Sequence, residues 1–61
     1  MERRDFILHI ETHGCRLLRE GGRHSIYFNP PLSKASAVPR RSEIREGLVR
    51  KICKDLGIPR P

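Results

Sequence analysis

The sequence predicts an α+β fold in which a helix, three antiparallel strands and a second helix follow one another. Three observations carry this reading. Apolar residues recur at helical spacing near both ends of the chain. Between them lies an alternating polar and apolar run opened by Gly21-Gly22, a pair that marks a tight two-residue hairpin. Pro30, Pro31, Pro39 and Pro59 punctuate the segments, because proline can neither donate to a ladder nor continue a helix.

The first helix is expected over residues 3–13. Phe6, Ile7 and Ile10 share one face, and Glu2 and Asp5 suit the positive end of the helix dipole. Leu8 falls off that stripe and either widens it or marks a contact surface. Gly14 is a natural residue to leave the helix, since it takes the left-handed conformation without steric cost. Residues 15–20 alternate imperfectly and read as a strand. Residues 23–29 form the best strand in the chain: His24, Ile26 and Phe28 share one face, and Ser25 and Tyr27 point the other way. Asn29-Pro30-Pro31 breaks it, and the loop runs to about Lys34. Small residues and Val38 give a short third strand over 35–38, ended by Pro39.

The last helix is expected over 45–56. Ser42 followed by Glu43 offers a start, and Gly47 weakens the first turn by about 1 kcal/mol relative to alanine. Its end is well marked by Gly57, the apolar Ile58 and Pro59. Leu48, Val49, Ile52, Cys53 and Leu56 fill one side, while Arg50, Lys51 and Lys54 fill the other. That basic side is either a solvated face or a phosphate-contacting one. Packing both helices on one face of a three-stranded meander buries the apolar stripes in two layers. This is the layout of double-stranded RNA-binding domains, which recognise RNA by backbone and shape more than by sequence.

Sixty-one residues make one domain at most, expected to span 1–61. Thirteen lysines and arginines against seven acidic residues leave a net charge of +6, a field that favours polyanions and above all nucleic acid. No apolar stretch approaches the roughly 20 residues of a spanning helix, and the N-terminal segment is amphipathic rather than a signal peptide. A cytoplasmic protein with no membrane partner is expected. Cys15 and Cys53 match no zinc or redox spacing and read as reduced, buried thiols. His9 and His13 have an i, i+4 spacing that can bind zinc, but no third ligand is evident, so both are read as surface residues and no metal is expected. The acidic residues are dispersed, and neither a nucleophile elbow nor a phosphate loop is present.

The chemistry therefore centres on His24. A free imidazole titrates near pH 6.5, so both protonation states exist near neutrality. RNA carries its own nucleophile, the 2′-hydroxyl. Cutting it needs a base for that proton, an acid for the departing 5′-oxygen and cations for the charge on the phosphorane. His24 with Arg23, or another nearby arginine, supplies a minimal set without metal or small-molecule cofactor. The expected RNA-contacting residues are Arg23, Arg40, Arg41, Arg50, Lys51 and Lys54. Tyr27 is able either to stack on a base or to pack in the core.

These residues carry a resemblance. The helix ending in His13-Gly14-Cys15, the run from Leu17 to Tyr27, the Val38-Pro39-Arg40 segment and the stretch from Glu43 to Pro59 resemble the HicA family of small mRNA interferase toxins, also called YcfA-like proteins. The ordered set of Gly21-Gly22-Arg23-His24, Val38-Pro39 and Glu43-Ile44-Arg45-Glu46-Gly47 is specific where any one part alone is weak. The resemblance implies a double-stranded RNA-binding-like fold, metal-independent cleavage of mRNA, and a cognate HicB-type antitoxin that blocks the site. The family's catalytic histidine falls on His24. Many relatives carry serine where this chain has Arg23; arginine there either assists phosphate binding or alters cleavage. A second reading keeps the charge and the fold but asks no chemistry of His24: a non-catalytic basic RNA-binding module.

Overall fold

The computed structural model describes residues 1–61. The chain runs α1 (Arg3–Thr12), β1 (Arg16–Glu20), β2 (His24–Asn29), a 3₁₀ turn (Pro30–Leu32), β3 (Lys34–Pro39) and α2 (Glu46–Leu56). The strands form one antiparallel sheet in the order β1-β2-β3. Side chains from one face of that sheet meet both helices, so the expected helix, three-strand, helix arrangement is present with both helices on a single side. Phe6 and Ile10 of α1, Tyr27 and Val38 of the sheet, and Val49, Ile52 and Leu56 of α2 are all buried together. Burying an aliphatic or aromatic side chain of this size stabilises by about 1.5–3 kcal/mol.

Strand alternation in β2 decides which side chains join that core. Ser25, Tyr27 and Asn29 are buried, whereas His24 is exposed and Ile26 and Phe28 are half-buried on the opposite face. Tyr27 packs in the core rather than standing free to stack on a base, and burial raises its phenol pKa. Asn29 Nδ2 donates to the Leu56 carbonyl over 2.6 Å, which holds the end of β2 to the last turn of α2. Cys15 and Cys53 are free and buried, and burial pushes both thiols up, away from the reactive thiolate. Leu8 lies outside this core and is 64% exposed.

Both helices end in the same way. Gly14 and Gly57 take φ of +88° and +73°. The N–H groups that follow turn back into the helix, Cys15 to the Ile10 carbonyl at 3.1 Å and Ile58 to Cys53 at 3.0 Å. The helix starts hold a difference from the sequence reading. Ser42-Glu43 does not begin α2; these residues pair with the start of the chain. Arg3 N–H donates to the Ser42 carbonyl and Ile44 N–H to the Met1 carbonyl, each at 2.8 Å, so Glu43 is bridged to Glu2 and α2 opens only at Glu46.

The hairpin also differs. A two-residue turn of the primed kind requires positive φ, yet neither Gly21 nor Gly22 adopts it. A one-residue bulge between Leu17 and Arg19 shifts the register, so that Glu20 faces Ser25. The connection is then the longer turn Gly21–Arg23, closed by Gly21 N–H donating to the His24 carbonyl at 2.7 Å. Arg23 belongs to this turn rather than to the strand, β1 begins at Arg16 rather than residue 15, and β3 extends over Lys34–Pro39.

Gly47 in α2 and Gly57 just past its end should respond oppositely to alanine. A Cβ on Gly57 would lie 2.6 Å from Leu32 Cδ1 at a φ alanine disfavours, so Gly57→Ala should cost at least about 1 kcal/mol. A Cβ on Gly47 meets nothing within 4 Å, so Gly47→Ala should stabilise by about 0.5–1 kcal/mol. Urea unfolding midpoints check both. A third expectation concerns Asp55, whose carboxyl accepts hydrogen bonds from Lys51 Nζ at 2.8 Å and Ser36 Oγ at 3.1 Å. The Lys51 bond, with help from Ser36, holds it below the ordinary value of 3.8. Its contribution is present above that value and is lost as pH falls through the lower folded one. The gap in unfolding midpoint between the parent and Asp55→Asn should therefore close on acidification; a gap that persists unchanged into strong acid would contradict the assignment.

Candidate active site

His24 opens β2 at one end of the sheet, and the residue after it explains its direction. Ser25 is fully buried and sits at the centre of a polar junction. Its hydroxyl accepts from Arg3 Nη2 at 2.8 Å and donates to Glu20 Oε1 at 2.6 Å. Arg3 Nε donates in turn to the Pro39 carbonyl at 2.7 Å. The start of α1, the end of β1, the start of β2 and the end of β3 are thus tied at one point. With Ser25 fixed inward, the pleat turns the neighbouring His24 outward. A buried hydroxyl left without partners would cost about 1–3 kcal/mol, and here none of the buried side-chain polar atoms is unpaired.

His24 lines a cavity of about 670 Å³ between the hairpin turn, the residues after β3 and the first turn of α2. Arg23, Arg40, Arg41 and Arg45 surround it, with Ile44 and Leu48 as its apolar lining. Glu43 is the one acidic residue in the wall, and its carboxylate is held by the N-terminal amine at 2.8 Å. The four arginines are not equivalent. Arg40 Nη1 donates to the Gly21 carbonyl at 2.9 Å and lies 3.6 Å from Glu20 Oε1, while its backbone N–H donates to the Arg23 carbonyl at 3.1 Å. It staples the hairpin turn to the end of β3. Arg23, Arg41 and Arg45 enter no ion pair within the chain, so their guanidinium groups are free for an anion. Arg45 also stands immediately before α2, whose N-terminus has no side-chain cap. Unpartnered N–H groups and the helix dipole add to the positive field there.

Of the basic residues expected to meet RNA, Arg23, Arg40 and Arg41 join His24 in this cavity. Arg50, Lys51 and Lys54 do not line it; they lie exposed along α2, and Lys51 is engaged by Asp55. Arg45 went unnoticed in the sequence because it reads as the first residue of a helix. Its signal is its place after Arg40-Arg41, in a segment too short to leave the site. The rings of His9 on α1 and His13 just past its end meet at a tilt with centroids 4.5 Å apart, and His9 Nε2 is 2.7 Å from the Pro59 carbonyl, which fastens the C-terminal tail. No three histidine, cysteine or acidic side chains are grouped to hold a metal ion.

The cavity, the hairpin and both helices fall within residues 3–58, which match the family model described as HicA toxin of bacterial toxin-antitoxin. The chain belongs to the HicA toxin family. It is accordingly the toxin member of a toxin–antitoxin system, with a cognate antitoxin as partner. No curated protein and no solved structure was found to match it. No helix of this HicA-family chain is long and apolar enough to cross a membrane.

The pairing of the arginines separates two substitutions. Arg41→Ala removes a cation with no partner in the chain and should leave the unfolding midpoint in place. Arg40→Ala removes the staple, so it should lower the midpoint. Equal loss of stability in the two variants would contradict this division.

Proposed function

We infer that this chain is a metal-independent endoribonuclease that cuts mRNA in the cytoplasm, with His24 as its general acid and base. The observation that supports it is the exposed imidazole of His24 at the rim of a cavity ringed by Arg23, Arg40, Arg41 and Arg45. In the proposed reaction, the 2′-oxygen of one ribose attacks the adjacent phosphorus. The bond from the 2′-oxygen to phosphorus forms and the bond to the 5′-oxygen breaks. Neutral His24 accepts the 2′-hydroxyl proton, and the imidazolium so formed returns a proton to the departing 5′-oxygen. The arginines stabilise the phosphorane in a site where Ile44 and Leu48 displace some of the water. The products are a 2′,3′-cyclic phosphate and a 5′-hydroxyl. The nucleophile belongs to the substrate, so the protein has no need to generate one. A HicB-type antitoxin that covers this cavity would silence the enzyme, and an acidic surface is the chemistry that would fit it.

The test is cleavage of end-labelled mRNA by the purified parent and by His24→Ala. The parent should leave 2′,3′-cyclic ends, and a single 2′-deoxy substitution at the cut should abolish that cut. His24→Ala should lose about 10²–10⁴-fold in rate with its circular dichroism unchanged. Cutting by His24→Ala at the parent rate would refute the role, and intact RNA with the parent would leave only a binding module.

A further inference from the structure

The helices cover one face of the sheet and leave the other open. By alternation from the buried Ser25, Tyr27 and Asn29, that open face carries His24, Ile26 and Phe28 in line along β2. Their spacing is about 7 Å per pair of residues, on the scale of one nucleotide of an extended strand. Cross-strand pairing places Arg19 beside Ile26 and Arg16 beside Phe28. On the other side stand Ala37 and Ala35, which are too small to obstruct anything lying on the central strand.

Three features mark this face as a surface with a ligand. First, the bulge in β1 is what puts Arg19 there. Without it the register set by Leu17 opposite Tyr27 would place Leu18 against Ile26 and turn Arg19 toward Ser25. Second, none of the chain's ion pairs uses Arg16 or Arg19, and no acidic residue projects from this face. Third, the apolar stripe is continuous with His24, so whatever lies on it continues what sits in the cavity. An aromatic ring with flanking guanidinium groups is the arrangement on which unpaired bases stack while their phosphates are held. A duplex hides its base faces in its own stack and offers only backbone and groove edges.

We propose that the open sheet face is the binding track for the unpaired nucleotides next to the cut. Phe28 stacks on a base, Ile26 packs against the nucleotide between it and His24, and Arg19 and Arg16 hold phosphates. The substrate is therefore single-stranded RNA. This rests on the nuclease reading given above and adds the strandedness and the subsite to it.

The experiment uses His24→Ala as an uncut-RNA trap, with fluorescence anisotropy of a labelled single-stranded oligoribonucleotide and of the same sequence in a duplex. The single strand should bind more tightly. Adding Phe28→Ala should weaken single-strand binding by about tenfold. Phe28→Leu keeps an apolar side chain on the strand and should lose most of the same affinity if stacking is the cause; it also carries the test should the alanine variant fail to fold. Adding Arg19→Gln should lower the salt slope by about 1. Duplex binding as tight as single-strand binding would overturn the proposal. So would parent-like RNA affinity in a folded Phe28→Leu variant, including the case in which that variant loses only its antitoxin, which would make the face a protein-docking surface. The nuclease reading fails on a separate result, RNA left whole by the parent or cut equally by His24→Ala, whatever the affinities.

Discussion

The constraint on which this small structure depends is the inward fixing of Ser25. Its hydroxyl has a donor in Arg3 and an acceptor in Glu20, and both come from elements distant in sequence. Each bond alone is worth on the order of 1 kcal/mol. Their joint effect is larger in consequence, because a strand has a period of two. Once Ser25 is committed to the interior, a slip of β2 by one residue would bury His24 and expose Tyr27. The junction thus sets the register of the strand that carries the imidazole. It also closes the sheet end, since Pro39, opposite His24, has no N–H to continue the ladder and lends its carbonyl to Arg3 instead.

The arrangement of charge follows from the same end of the molecule. Three connections converge there: the hairpin turn, the segment after β3 and the uncapped start of α2. Each contributes arginine. Glu20 is used by Ser25 and Arg40, and Glu43 by the N-terminal amine. The acidic residues nearest the cavity are engaged in holding the fold. The charge left over around the cavity is positive, and the exposed His24 stands in it.

Much of the fold was legible because its signals are local. The apolar stripe of α2, the alternation of β2 and the glycines that end both helices each act within a few residues, and each names its element directly. What the sequence hid was set by pairing across distance. Ser42-Glu43 carries the composition of a helix start, yet backbone bonds from Arg3 to Ser42 and from Ile44 to Met1 hold this segment against the start of the chain. Gly21-Gly22 looks like a two-residue turn, yet the bulge at Leu18 changes the register and lengthens the connection. Arg3 reads as an ordinary charged residue in a first helical turn, and nothing nearby in sequence announces that it reaches Ser25 and Pro39. The lining of the cavity shows the same division. His24, Arg23, Arg40 and Arg41, which line it, can be gathered from the hairpin and the charge run, whereas Arg50, Lys51 and Lys54, which do not, follow from helical periodicity. That periodicity says which residues face away from the core but not which end of the helix meets the site. Arg45 enters only through the geometry of the connection.

A chain of 61 residues has little interior to spend on positioning a catalytic group. The proposed reaction suits that limit, because ribose supplies the nucleophile and transesterification asks of the protein only proton transfer and positive charge. Neither requires a deep pocket: the imidazole works at the surface, and guanidinium groups reach a phosphate from flexible stems. What the reaction does require is alignment of the 2′-oxygen, the phosphorus and the 5′-oxygen. A lone histidine cannot impose it. An open sheet face in register with His24 can, because nucleotides held along β2 would fix the sugar–phosphate backbone on one side of the scissile bond while the arginines of the cavity fix the phosphate itself. On this view the sheet left bare by the two helices is the part of the fold that converts a basic surface with one imidazole into a site able to orient a strand.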